Sequence, residues 1–450
     1  MLHLDAGDYL WGRPVVAPKE LEQRKLKAEL LAEAAGPKWL ALDAMTVGDG
    51  DFAFGVDFLR EQARAHSLPY VSANIRTTDG ADLFPDFKIV ERGGLRIGIT
   101  GLLSEGRAIS GLLVDPSVEA ATRVVAKLKE EKVDLVVVLS HLGLTDDRLL
   151  AAEVPDIDLI FGGHSRRHQE QPAIVGETAI FQAGSRGKSL GQASFNFRGG
   201  RGFANPGAKL EIERRRAVIE KQVARFQAQI AAADEEVAKE RLARVLAFNT
   251  KKLETLVVPP DDDGTRSLVV GRKVDMGRAI PDDAAMLKRV QATLEEMGPE
   301  IGGEHAGHSH GPGGHGPPSP RAKEPIGDWV GANACRACHQ TQFDDWRKTP
   351  HARAYVTLVK EKRQYDLDCW SCHVTGAEQP GGPQTPSEVG HLRNVQCESC
   401  HGPGRKHVAN PTVDMVRAPT EEHCKSCHSD EQTEGRFDYA KYLHKVDHLP

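Results

Sequence analysis

Cysteine is missing from the first 334 of the 450 residues, and all eight cysteines fall between Cys335 and Cys427. Disulfide frameworks and thiol chemistry are thereby excluded from the longer part of the chain. No run of about 18 apolar residues occurs, which excludes a membrane-spanning helix of ordinary length. An excess of one charge is lacking too. The 58 basic and 64 acidic residues leave a net charge of −6. No whole-chain attraction to nucleic acid or to an anionic membrane surface follows from that balance. What remains is a chain with 40% hydrophobic and 27% charged residues, able to bury a core. Its length suggests two to four domains.

Residues 1–207 alternate strand-like and helix-like stretches. The apolar runs Val133–Leu139 and Ile157–Phe161 read as buried strands, joined by further strand-like stretches near 95–100, 179–183 and 193–198. Helix-like segments cover 19–35, 52–66 and 117–131. This alternation predicts an α/β domain with a largely buried sheet. Residues 208–256 differ: Ile212, Ile219, Val223, Phe226, Ile230, Ala233 and Val237 recur at helical spacing among charged residues. The pattern predicts one long amphipathic helix or a helical hairpin, coiled-coil-like, serving as a packing arm or as a dimer interface. Residues 257–301 return to a strand (Leu268–Val270) and a helix starting near Pro281-Asp282-Asp283, where proline and acidic residues suit a helix start. Residues 302–325 hold Gly, Pro, Ser, His305, His308, His310 and His315, the composition of a flexible linker. A last module occupies 326–450.

Every cysteine belongs to a C-x-x-C-H unit: Cys335/Cys338/His339, Cys369/Cys372/His373, Cys397/Cys400/His401 and Cys424/Cys427/His428. This is the attachment spacing of c-type haem. Two thiols add across the porphyrin vinyl groups, and the histidine supplies the proximal iron ligand. Zinc or a redox dithiol would also use C-x-x-C, but neither requires a histidine after all four pairs. Four covalent haems in about 120 residues leave little room for an apolar core, so stability should depend on haem insertion. Six other histidines are available as second axial ligands: His351, His391, His407, His423, His444 and His448. Met415 is the module's one methionine, which favours bis-histidine over His/Met ligation and hence low potentials.

Two segments of the module carry a specific resemblance. Gly331-Ala332-Asn333-Ala334-Cys335 followed by Trp346-Arg347-Lys348-Thr349-Pro350-His351-Ala352 resembles the opening of cytochrome c-554-type multihaem proteins. Asn394-Val395-Gln396-Cys397 through His401-Gly402-Pro403-Gly404, with His407 after it, is similar as well. The resemblance implies that His351 and His407 are distal haem ligands, with His391 a further candidate, and that the protein transfers electrons among periplasmic redox partners.

The N-terminal region resembles calcineurin-like metallophosphoesterases of the 5'-nucleotidase branch. Leu4-Asp5-Ala6-Gly7-Asp8 looks like that family's second metal motif, and Val47-Gly48-Asp49-Gly50-Asp51-Phe52 stands where it has Gly-Asn-His-Glu. Ser140-His141-Leu142-Gly143 and Gly162-Gly163-His164-Ser165-Arg166 resemble its later histidine motifs. The resemblance implies a β-sandwich flanked by helices and a two-metal centre that activates hydroxide. One divalent metal (Mn, Zn or Fe) would be held by Asp8, Asp49, His141 and His164. The second set is broken. No Asp-x-His precedes Asp8, Arg166 replaces a ligand with a guanidinium, and Gly50 stands at the catalytic histidine.

Haem attachment to C-x-x-C-H takes place outside the bacterial cytoplasmic membrane, so a basic and apolar leader is expected. The sequence opens directly in a metal-binding motif, and the expectation is that Met1 is internal to a longer exported chain. The combined reading is an extracytoplasmic tetrahaem electron carrier, with redox proteins as partners, fused to an incomplete phosphoesterase. Two alternatives accompany it. One is an active hydrolase of a small phosphoester or a sulfate ester, coupled to a redox pathway. The other is a haem enzyme acting on a small nitrogen oxide at an open iron.

Overall fold

A computed structural model of the chain describes residues 1–298 and 327–447, apart from 107, 170, 233–235, 255, 257–259, 278, 417 and 434–435. The linker expected at 302–325 and His448 lie outside the described residues. The chain divides into two compact units. One comprises Met1–Ala17 and Lys27–Asp282; the other comprises Pro18–Leu26 and Asp283–Pro450.

The first unit is built on a six-stranded sheet. In chain order the elements are β1 (Leu4–Asp5), α1 (Leu21–Ala35, whose residues up to Leu26 group with the second unit), β2 (Ala44–Met45), α2 (Val56–Ala65), β3 (Ile75–Thr77), β4 (Phe87–Arg92) and β5 (Leu95–Leu103). Next come β6 (Leu112–Val114), α3 (Ser117–Glu130), β7 (Leu135–His141), α4 (Leu144–Glu153), β8 (Leu159–Gly162), β9 (Ala173–Val175) and β10 (Thr178–Gln182). The strand order is β4-β5-β7-β8-β10-β9. The central four strands are parallel, with β4 and β9 antiparallel at the edges. Strand β7, Leu-Val-Val-Val-Leu-Ser-His, is buried at every position, as an unbroken β-branched run in a covered parallel sheet should be.

The two faces of that sheet meet different layers. Val136, Val138, Ile160 and Ile180 pack with Val124 and Leu128 of α3 and Leu150 of α4. The opposite face, with Ile97, Ile99, Val137 and Leu139, meets Ala44, Phe203 and Val269. The last two belong to a three-stranded sheet of β11 (Ser189–Asn196), β12 (Phe203–Ala204) and β13 (Ser267–Asp275), in the order β11-β13-β12. Each fully buried residue of Leu or Val size contributes about 1.5–3 kcal/mol, so these layers hold the unit together.

Between β12 and β13 the chain forms α5 (Pro206–Ala232) and α6 (Glu236–Glu254). The two pack on each other, so the amphipathic stretch is a hairpin and not one helix. Helix α7 (Ala284–Glu296) starts where expected. Asp283 caps it, its carboxylate accepting from the amides of Ala285 and Met286.

The second unit is made of short helices: α8 (Ala332–Cys335), α9 (Gln340–Trp346), α10 (Ala354–Lys360), α11 (Leu367–His373), α12 (Cys397–His401), α13 (Arg405–Ala409), α14 (Glu421–Lys425), α15 (Asp430–Thr433) and α16 (Tyr439–Leu443). Helix α7 groups with it through the Lys362–Glu295 ion pair at 2.9 Å. Its apolar cluster is small: Tyr355, Leu358, Leu367, Trp370, Val374, Ala377 and Val389, around a fully buried Trp370.

Candidate metal centre and haem attachment sites

The carboxyl ends of β1, β2, β7 and β8 converge, and the loops leaving them carry Asp8, Asp49, His141 and His164. Ligands in α/β sheets gather at that end of the strands. Asp49, His141 and His164 bring ligating atoms within 4.8 Å of one another. His141 Nε2 stands 3.5 Å from Asp8 Oδ2 and 3.6 Å from Asp49 Oδ1. His164 Nδ1 stands 3.7 Å from Asp49 Oδ1. All four residues named from the sequence therefore meet at one place. Asp8 and His164 both hold left-handed backbone conformations, φ +59° and +61°, a strain typical of functional turns.

The imidazole of His141 is already oriented. Its Nδ1 faces the Ala6 carbonyl at 2.7 Å, while Nε2 is buried and has no hydrogen-bond partner. A metal-ligating histidine is fixed in this manner, one nitrogen on a carbonyl and the other free. Burial opposes protonation of His141, yet the Asp49 and Asp8 carboxylates outweigh it and push the imidazole up to about 10. The His141 and His164 imidazoles, 3.6 and 3.7 Å from its Oδ1, hold Asp49 well below the usual carboxylate range. Two carboxylates and two imidazoles at these distances suit a divalent cation, which would replace the protons.

Sequence reasoning gave Asp51 no role. It is fully buried, and burial pushes its carboxyl up to about 7. Its oxygens accept from the amides of Asp8 (2.9 Å), Leu10 (2.8 Å) and Gly48 (2.8 Å), fixing both aspartate loops. A buried acid inside Gly-Asp-Gly-Asp was the available signal. Arg166 turns aside and donates to the Gly12 carbonyl at 2.6 Å. At Gly50 a Cβ would meet the Trp11 carbonyl oxygen at 2.1 Å, so the backbone of the 11–13 loop fills the space beside it.

In the second unit the four motifs fall into two couples. Cys335 lies beside Cys397, and Cys427 beside Cys372; in each couple the interaction between the neighbouring thiols pushes the first-named up and its neighbour down. The first motif therefore meets the third, and the second meets the fourth. Burial raises Cys400 to about 11. None of the eight cysteines is in a disulfide.

Cys338 departs from this enclosure. The sequence names it a haem tether beside Cys335, yet the structure leaves it exposed, whereas the other seven cysteines are partly buried. The physical reason is local. Cys338 lies in the turn at 336–338 between α8 and α9, and residues 336–340 are all exposed. As a tether, Cys338 would hold its haem near the surface of the unit.

The histidines pair likewise. His339 and His407 lie with ring centroids 6.2 Å apart, and His351 and His428 with centroids 6.0 Å apart. His373, His401 and His407 each turn Nδ1 to a backbone carbonyl, of Ala354, Val416 and Val413, at 2.7, 2.5 and 2.7 Å, leaving Nε2 for a metal. His391 Nε2 is buried without a partner and lies against Gly331. His423 is differently engaged, its Nε2 donating to the Ser399 carbonyl at 2.6 Å. Val356, Val359, Val408, Val413 and Val416 stand exposed, apolar side chains that bound porphyrins could cover. The residues present thus fit covalent haem. Phe437 stacks on His428 at 4.8 Å, a contact no sequence pattern signalled.

The Trp346 indole donates to the Val395 carbonyl at 2.8 Å, and the Val395 amide donates to the His351 carbonyl at 3.2 Å. The two segments quoted for the cytochrome resemblance are therefore in contact. The family model described as cytochrome c554 and c-prime matches residues 334–402. The chain is similar to 5'-nucleotidases in its N-terminal region and to cytochrome c-554 in its C-terminal region. Cytochrome c-554 of Nitrosomonas europaea is 33% identical over 132 residues, covering 22% of this chain and 56% of the relative. A 5'-nucleotidase of Vibrio cholerae is 30% identical over 203 residues, covering 37% of each chain. The crystal structure of a 5'-nucleotidase precursor from Thermus thermophilus superposes with a TM-score of 0.37 at 27% identity, covering 44% of this chain and 42% of that one. The chain thus spans little more than half of one relative and well under half of the others. Among the described residues no helix is long and apolar enough to cross a membrane.

Proposed function

We propose that the protein is an extracytoplasmic electron carrier with four covalently attached haems, joined to a 5'-nucleotidase-like β-sandwich that binds one divalent metal. The observation that carries the reading is the pairing of imidazoles, His339 with His407 and His351 with His428, beside C-x-x-C-H motifs. The haems supply one-electron redox chemistry when bound. The chain's own residues do the rest: cysteine pairs tether, His339, His373, His401 and His428 ligate, and His351 and His407 complete two irons. His391 is the candidate for a third. Two axial histidines close an iron to small ligands, which suits transfer between redox proteins better than chemistry on a nitrogen oxide.

Asp8, Asp49, His141 and His164 would hold the single metal. Hydrolysis of a phosphoester or sulfate ester at that metal is the second reading. The absent side chain at Gly50, with the Trp11 carbonyl beside it, weighs against it. The layered sheets of the first unit support the sandwich, and the α5–α6 hairpin is the surface through which a dimer would form.

The test is joint haem and metal analysis of the exported protein, with EPR. Four haems per chain, mostly low-spin, and one divalent ion per chain are expected. A protein without a Soret band, or with mainly high-spin, ligand-accessible iron, contradicts the electron-carrier reading.

A further inference from the structure

Away from the metal centre, the first unit carries a cleft of about 770 Å³, within the size range of small-molecule sites. Helix α2 presents Arg60 and Arg64 to it one turn apart, and Lys88 of β4 adds a third cation. No carboxylate lines it. Neither Arg60 nor Arg64 has an ion-pair or hydrogen-bond partner among the described residues, and Asp79 reaches Arg60 through its field alone. Lys88 gives one donor to the Asp43 backbone carbonyl at 2.8 Å and keeps its charge. The apolar part of the lining is aromatic. Tyr70 and Phe84 stack at 4.8 Å with an interplanar angle of 27°, and Phe87 lies beside them. None of these six residues belongs to the metal set.

Three cations without a counter-charge repel one another, and an anion seated among them relieves that repulsion. An aromatic floor adds a demand of its own, since flat apolar surface is best covered by another flat apolar body. We propose that this cleft binds a small amphiphilic anion: a planar apolar body carrying one carboxylate, sulfonate or phosphate-type head. The head meets Arg60, Arg64 and Lys88, and the body lies on Phe84 and Phe87.

The test is calorimetric titration of the full haem-containing chain, dialysed free of divalent metal, with 2-naphthalenesulfonate, 2-naphthol and inorganic phosphate. The sulfonate should bind once per chain, with 2-naphthol and phosphate each at least about tenfold weaker. The double variant Arg60→Gln/Arg64→Gln should weaken the sulfonate about tenfold with its circular dichroism unchanged, while His141→Ala leaves binding as it was. Sulfonate binding that survives the double variant overturns the proposal. So does phosphate binding as tightly as the sulfonate, which would reduce the cleft to a plain anion site. Lys88→Gln, on a separate strand, repeats the test if the double variant fails to fold.

Discussion

Replacing Glu398 with alanine strands three amides, two of them buried and one partly buried. The side chain is 1% exposed, and its two oxygens accept from the amides of Val330 (3.0 and 3.1 Å), Gly331 (2.7 Å) and Gly404 (2.7 Å). One residue inside the third haem motif thereby holds the backbone that leads into the first. Gln396 reinforces it, accepting from the Ala332 amide at 2.5 Å. A buried donor left unpaired costs about 1–3 kcal/mol, so three cost about 3–9 kcal/mol if nothing relaxes. Some water entry is expected at a site this close to the surface, which puts Glu398→Ala at about 3–5 kcal/mol. Glu398→Gln keeps one acceptor oxygen but turns an NH2 toward amide donors, and should lose roughly half as much. The assay is reversible urea unfolding of the fully haemylated chain, followed in the Soret band, with hydrogen exchange at 327–335 and 402–406 to locate the loss. The alanine variant should shift the midpoint down at nearly constant slope. A loss under about 0.5 kcal/mol, with exchange at Val330 and Gly331 unchanged, would refute the idea that this carboxylate couples the two motifs.

Four further outcomes are expected. His141→Ala should weaken Mn or Zn binding at least about 100-fold by calorimetry; a change within threefold removes His141 from the metal set. Gly50→His should not yield hydrolysis of bis-p-nitrophenyl phosphate with added Mn, and should destabilise the first unit by about 1–3 kcal/mol, because its Cβ meets the Trp11 carbonyl oxygen at 2.1 Å. Turnover in that variant contradicts the view that the space is closed. His407→Ala should convert one low-spin haem to high-spin in the EPR spectrum without changing the haem count; an unaltered spectrum places His407 off the iron. Asp158, pushed up to about 6 by burial, makes the wild type lose stability as pH rises from about 4 through 6. A shift of about 2 units corresponds to about 3 kcal/mol. Asp158→Asn should flatten urea midpoints over that window, and an unchanged slope assigns the pH dependence elsewhere.

Much of this was written in local pattern. The β7 run, the α3 periodicity and the Asp283 helix start all showed in sequence because each depends on residues within one element. The meeting of Asp8, Asp49, His141 and His164 was legible for another reason: they sit in short motifs at strand ends, where the fold brings loops together whatever lies between them. What stayed hidden depends on long-range partners. Asp51 serves amides on either side of a gap of some forty residues, and Glu398 reaches 68 residues back to Val330. Neither partnership leaves a spacing to read. The exposure of Cys338 was hidden as well, because the C-x-x-C-H spacing is the same whether a motif lies inside the unit or on its surface. The α5–α6 hairpin was one of the two forms the helical spacing allowed; spacing alone does not choose between a hairpin and one long helix.

The crosswise order of the motifs, first with third and second with fourth, bears on how the second unit can be made. If the four motifs take haem as proposed, they become available for attachment one after another as the chain is made. No portion that stops short of Cys397 holds both members of a couple, and the other couple waits for Cys427. On the proposed function, the earliest haems would ride on a chain that has no finished fold to shelter them. A covalent thioether tether would then be what retains the cofactor during that interval, before two imidazoles are in place to grip the iron.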